Sequence, residues 1–400
     1  MLPRGMTGMP PVPDDSATED AATGPSHPAT APRQAGPVVF LRCAGDGPAH
    51  GHEIAGKMAL ARAVARVTGR PYGGDYRDDV AYPDTPFFVP SETLLASQAA
   101  RLDITTPDRL FGGVVPQAFV ATKAITHGLA HPQAPAPDGW QPSFCERVAQ
   151  VVLPGFTAFD RTDALQAGEK LLAAGAVRLK RPNGVGGRGQ TIIRDRRQLE
   201  EALEPIEDVC LASEGVVLEA NLLDVRTFSV GQSSLAGLQV SYCGTQRLTR
   251  ANDGSRVYGG SELLLARGGW EQLLALGLAP QTRIAIGQAR VYHDAALACF
   301  AGLFASRSNY DIAQGFDEDG NGRSGVLEQS WRIGGATGAE IAAIGAFLEN
   351  PDLQSVGAST TEIHGSCGEL PADAVVYFAG EDEQAGQLVK YARLHPHADP

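Results

Sequence analysis

Lys180 closes the run Val177-Arg178-Leu179-Lys180, and four glycines follow within six residues, at Gly184, Gly186, Gly187 and Gly189. Glycine leaves backbone N–H groups bare and accepts positive φ, so successive amides can converge on one anion while Lys180 supplies a point charge. Phosphate suits such a loop. Further along, Asp311 and Glu328 stand in strand-like runs either side of the turn Asp317-Glu318-Asp319-Gly320-Asn321-Gly322. Paired as an antiparallel hairpin centred near Asp319, the two carboxylates fall almost opposite each other on one face. Like charges so placed repel unless a cation sits between them, and hard oxygen ligands favour Mg²⁺ brought in with substrate phosphates. Each motif also has a plainer reading: a hairpin tip that binds nothing, and an acidic surface turn. Asp317 is the alternative partner for Glu328.

The elements around the glycines decide which phosphate loop this is. Thr191-Ile192-Ile193 is β-branched and reads as a strand, whereas a Rossmann or P-loop needs a helix there. The loop therefore joins two strands. Gly56-Lys57 is followed by Met58, not Ser or Thr, and is no Walker motif. Upstream, Val38 to Leu41 reads as a strand, 53–67 as a helix ending at Gly69, and Ser91 as the cap of a helix over 92–102. Strands are expected at 151–153, 176–180, 191–193 and 215–219, and helices at 164–173, 198–203 and 282–305.

This rhythm divides the chain into a tail (1–36), a small α/β domain (37–122), a lobe carrying the glycine loop (123–220) and a lobe carrying the carboxylates (221–400). The tail is rich in Pro, Gly, Ala, Ser and Thr and reads as disordered. A net charge of -13 disfavours nucleic acid and anionic membrane surfaces. No apolar run reaches the roughly 20 residues of a membrane helix, and six scattered cysteines without a C-x-x-C pair suggest neither zinc nor a redox motif. A cytoplasmic protein acting on small molecules is expected. His50-Gly51-His52-Glu53 reads as a polar helix start.

In this order, the segments resemble the ATP-grasp superfamily, and Lys180 through Gln190 is similar in spacing to the lysine and glycine loop of its biotin carboxylase branch. Val216-Val217-Leu218-Glu219-Ala220-Asn221-Leu222 resembles that branch's hinge. The chain as a whole resembles a bacterial domain family of unknown function. The resemblance implies an α/β chain with α+β lobes, an ATP-grasp fold behind a pre-ATP-grasp α/β domain, and ATP with Mg²⁺ (or Mn²⁺) as cofactors. It implies that Glu219 and the peptide groups of Ala220 to Leu222 hold adenosine, that Lys180 and the glycine amides hold phosphate, and that Asp311 and Glu328 hold metal. Lys123 resembles the early phosphate lysine, with an exposed helical lysine as the alternative. Cys243 to Arg247 is similar to a segment of biotin carboxylase, and the resemblance implies a cofactor contact for Gln246.

Where relatives carry Asn two residues after the glutamate and Arg four after, this chain has Ser330 and Arg332. Serine still offers one oxygen to a metal. Ala251 and Ala336 do not match the catalytic groups of biotin carboxylase. Trp331-Arg332-Ile333-Gly334-Gly335 is instead similar to the Arg and Gly-Gly loop of amino-acid ligases, which places a substrate carboxylate against Arg332. A ligase joining a carboxylate to an amine through an acylphosphate is the implied activity. A non-catalytic ATP-binding module and a biotin-type carboxylase are the alternatives.

Overall fold

The computed structural model describes residues 36–184 and 189–395. The expected disordered tail, save Gly36, and the phosphate-loop residues Gly186 and Gly187 lie outside them. Val38–Leu41 is the middle strand of a three-stranded parallel sheet, flanked by Tyr72–Asp75 and Phe87–Pro90. The helix His52–Thr68 follows the first strand and stops at Gly69, whose φ of 66° lets its N–H reach back to Ala65 and Arg66.

A four-stranded antiparallel sheet comes next, ordered Gly155–Ala158, Val216–Ala220, Val177–Lys180, Gln190–Ile193. Its helices Arg161–Leu172 and Arg196–Leu203 start where Asp160 and Asp195 accept the N–H groups of Asp163 and Gln198. The glycine loop does join two paired strands: Lys180 lies opposite Gln190.

Leu94–Leu95, Gly113–Val115 and Phe304–Ala305 make a second three-stranded sheet, and eight further strands form one large sheet. Its order is Gly322–Ser330, Arg307–Phe316, Leu223–Leu235, Leu238–Arg250, Arg256–Arg267, Ser355–His364, Gly386–His395, Val375–Asp382. Alternation sends Phe228, Val230, Tyr310 and Ile312 to one face, under the helix Pro280–Cys299. Asn309 and Asp311 point the other way. On that second face the helices His52–Thr68 and Thr337–Glu349 cover Tyr242, Leu263 and Leu265.

Three expected elements differ. Ser91 caps no helix: its hydroxyl accepts the N–H of Cys43, Leu94–Leu95 pairs with Val114 and Val115, and the helix starts only at Ala96. The long helix ends at Cys299, before Gly302 at φ 85°, because Phe304 and Ala305 pair with Val114 and Gly113. Val151 to Leu153 form no strand; only Val152 bridges to Val326, over Gly325, where a Cβ would come within 2.5 Å of the Leu153 nitrogen.

Candidate active site

The carboxylate hairpin pairs Phe316 with Gly322 and stays regular to Ile312 and Val326. A bulge at Leu327 then shifts the register, so Asp311 faces Glu328 and Asn309 faces Ser330. The expected facing is present, and the extra residue sets it. Asp317, the alternative partner, is turn structure instead: its carboxylate accepts the N–H groups of Asp319 and Asn321 and pairs with Arg323 at 2.8 Å.

The two oxygens of Asp311 differ. Oδ1 accepts Gln246 Nε2 and Asn309 Nδ2, each at 2.8 Å, and Ser229 Oγ at 3.4 Å. Among the described residues, Oδ2 takes no hydrogen bond. Burial and then the charge of Glu328 push the Asp311 carboxyl up to about 6, against the pull of its amide donors. A cation between the carboxylates would relieve both causes. No cluster of three or more His, Cys, Asp or Glu side chains able to hold a metal exists among the described residues. Two facing carboxylates are a hard-oxygen donor set of the kind that suits Mg²⁺.

Lys123 is buried and lies in no α-helix. It opens a short 3₁₀ turn, Lys123–Thr126, with its ammonium 2.6 Å from Glu328 Oε2 and 2.6 Å from the Gly184 carbonyl. Gln329 makes this meeting possible: its amide N–H groups bind the Val120 and Thr122 carbonyls, while Tyr292 donates to its oxygen. The segment before Lys123 is thereby pinned to the strand that carries Glu328.

Lys180 and Glu219 form an internal ion pair, 2% and 1% exposed, so in this structure neither faces open space. His127 Nε2 reaches the second Glu219 oxygen at 3.2 Å. Burial pushes the Glu219 carboxyl up, but Lys180 and His127 outweigh it and hold the pKa at about 2. In the segment that follows Glu219, the Ala220 N–H is already spent on the Pro154 carbonyl, and Leu222 is buried. Gly189 sits at φ 69° where the loop rejoins its strand.

Gln246 lies beside the carboxylate pair, its Nε2 shared between Asp311 and Ser229, so it helps to orient Asp311. Ser330 presents its hydroxyl to Arg307 at a long 3.5 Å. Arg332 leaves the hairpin and meets Glu92 at 2.7 Å. Sequence reasoning missed Asn309, His127, Glu92 and the buried Arg307–Glu340 pair at 2.7 Å. Strand alternation alone places Asn309 beside Asp311; the others come from distant segments and carry no local signal.

Residues 40–392 match the profile described as "Protein of unknown function (DUF3182)". The chain belongs to the DUF3182 family. No curated protein matches it. The DUF3182 chain is similar to the biotin carboxylase domain of Hydrogenobacter thermophilus 2-oxoglutarate carboxylase, solved with MgADP, ADP and bicarbonate. The TM-score is 0.54 and the identity 13%, over 91% of this chain and 87% of that one. N5-carboxyaminoimidazole synthetase from Staphylococcus aureus, solved with ADP, follows at TM-score 0.48 and 13% identity, covering 91% and 94%. D-alanyl-alanine synthetase A from Vibrio cholerae matches at 0.43 and 12%, covering 74% and 88%. The fold of this DUF3182 protein is ATP-grasp-like, a mixed α/β architecture. No helix among its described residues is long and apolar enough to cross a membrane.

Proposed function

We propose that this protein is an ATP- and Mg²⁺-dependent ligase that activates a small carboxylate as an acylphosphate for attack by an amine or similar nucleophile, releasing ADP and phosphate. The observation that carries this reading is the facing of Asp311 and Glu328, one oxygen of Asp311 saturated with donors and the other free, with Lys123 against Glu328. When bound there, Mg²⁺ (or Mn²⁺) would neutralise charge on the ATP phosphates.

The chain's own residues do the rest of the work in this scheme. Lys123 sits between the carboxylates and the start of the glycine loop, where it can hold a phosphate oxygen. Lys180 and the loop glycines Gly184, Gly186, Gly187 and Gly189 supply further positive charge and amides once Lys180 exchanges its Glu219 partner. Glu219, Ala220 and Leu222 line the hinge for adenosine. Asn309 and Gln246 keep the free oxygen of Asp311 turned toward Glu328, and Ser330 adds a hydroxyl. Arg332 holds the substrate carboxylate and steadies the charge that develops on it. The division at 122/123 and 220/221 belongs to the same proposal.

The test is ADP and phosphate release from Mg-ATP against a panel of amino acids, small acids, amines and bicarbonate, with Glu328→Ala as control. Stimulation by one acid plus one amine, lost in the variant, is expected. Turnover unchanged in Glu328→Ala would falsify the metal assignment. A non-catalytic ATP-binding module is the second reading, favoured by Ser330 in place of an amide and by the closed Lys180–Glu219 pair; tight ATP binding without turnover across the panel supports it.

A further inference from the structure

Two cations from distant parts of the chain converge on one carboxylate outside the metal hairpin. Lys57, on the helix His52–Thr68, reaches Glu92 Oε1 at 2.8 Å, and Arg332 Nε reaches Glu92 Oε2 at 2.7 Å. The three groups are unequally anchored. The side chains of Lys57 and Arg332 are only 15% and 20% exposed, whereas that of Glu92 is 44% exposed, on a bend after the strand Phe87–Pro90.

Both cations have other supports. Lys57 Nζ also donates to the Ser91 carbonyl at 2.9 Å, and Arg332 Nη1 to the Ile333 carbonyl at 3.1 Å. The main chain at Arg332 is fixed from below, its carbonyl accepting the buried guanidinium of Arg307. Among the described residues, the Glu92 carboxylate meets no partner beyond these two cations. An ammonium has three N–H groups and a guanidinium five, so donors are left on both for a second set of oxygens.

We infer that Lys57 and Arg332 form a carboxylate-binding subsite, and that Glu92 occupies it as an internal stand-in that a ligand carboxylate displaces. The cations are built in and the anion is the replaceable part. Taking the ligand to be the substrate acid rests on the proposed ligase function and adds Lys57 to its recognition; the binding property itself does not depend on turnover. Glu92 then weakens binding of every carboxylate by competing for the same donors, which limits the subsite to acids that add contacts elsewhere.

The experiment is calorimetric titration of malonate, with neutral malonamide as control, into the nucleotide-free full chain. The variants are Glu92→Ala, Glu92→Ala with Lys57→Met, and Glu349→Ala, which removes an equal charge from an exposed helix end. Thermal melting checks that each is folded. Expected is malonate binding at least tenfold tighter in Glu92→Ala than in wild type, lost at least tenfold when Lys57→Met is added. Glu349→Ala should match wild type, and malonamide should give no binding heat in any variant. Equal malonate affinity in wild type and Glu92→Ala, or no effect of Lys57→Met, overturns the subsite. Because no ATP is present, failure of the ligase reading in the ADP-release assay leaves this result standing, and the converse also holds.

Discussion

The Lys123 ammonium lies 2.6 Å from Glu328 Oε2 and equally close to the Gly184 carbonyl, joining one carboxylate of the facing pair to the start of the glycine loop. A resident cation next to Glu328 lowers the charge that a metal would otherwise meet. At about 4 Å and an effective dielectric near 20, a unit charge pair is worth about 4 kcal/mol before screening. Lys123→Met should therefore raise Mn²⁺ affinity of the nucleotide-free protein at least tenfold while lowering ATP turnover. Electron paramagnetic resonance of free Mn²⁺ reads the first and ADP release the second; a fall in Mn²⁺ affinity would mean that Lys123 organises the carboxylates rather than competing for them.

Asp311 sets a second expectation, on stability. Its carboxyl is raised from 3.8 to about 6, so between those values the folded state binds the proton more tightly than the unfolded chain. The sign follows: stability from this group falls as pH rises from about 4 to about 6 and is level above. Asp311→Asn removes the repulsion from Glu328 and should stabilise the metal-free protein by about 1–3 kcal/mol at pH 8, with little gain at pH 4. Added Mg²⁺ should raise the melting temperature of wild type and not of the variant. Equal stabilisation at both pH values would contradict the shift.

How the hairpin was legible, and how far, follows from these two groups. Strand alternation and an Asp-Gly turn are local signals that mark the hairpin and bring Asp311 near Glu328, but a regular ladder would set Asp311 against Leu327, and the bulge is what makes the two carboxylates face. Leu327 as the bulge is not local, since it depends on Val152 and Val326 bridging at Gly325. Lys123 could not be read as buried, because its burial rests on Gln329 pinning Val120 and Thr122 from another segment. The overlong helices have the same origin: Leu94, Leu95, Phe304 and Ala305 are compatible with helix, and pairing to Gly113, Val114 and Val115 overrides them. Local patterns revealed the frame, and the charge partners of the site came from long-range packing.

Gly244 tests the sheet beneath the site. It lies opposite Ser229 and next to Leu263 in the ladder, and a Cβ there would fall 1.8 Å from the Glu262 carbonyl oxygen, a backbone atom that cannot rotate away. Gly244→Ala should cost more than about 2 kcal/mol and displace Gln246 from Asp311. Urea unfolding measures the cost; stability within 0.5 kcal/mol of wild type would show that the two strands can separate without loss.

The Lys180–Glu219 pair gives the sharpest acid dependence. Breaking a buried pair leaves one charge without a partner and costs about 3–5 kcal/mol, so Glu219→Gln should destabilise by roughly that amount at pH 7. The Glu219 carboxyl is depressed from 4.5 to about 2, so its contribution is complete above about 4.5 and is lost as pH falls toward 2. The stability difference between wild type and Glu219→Gln should accordingly shrink between pH 5 and pH 2.5, whatever other acids do to both proteins. Lys180→Met added to Glu219→Gln should recover part of the loss, because it removes the stranded ammonium. A difference that stays constant down to pH 2.5, or a double variant no more stable than the single one, would show that the pair is not what holds this hinge.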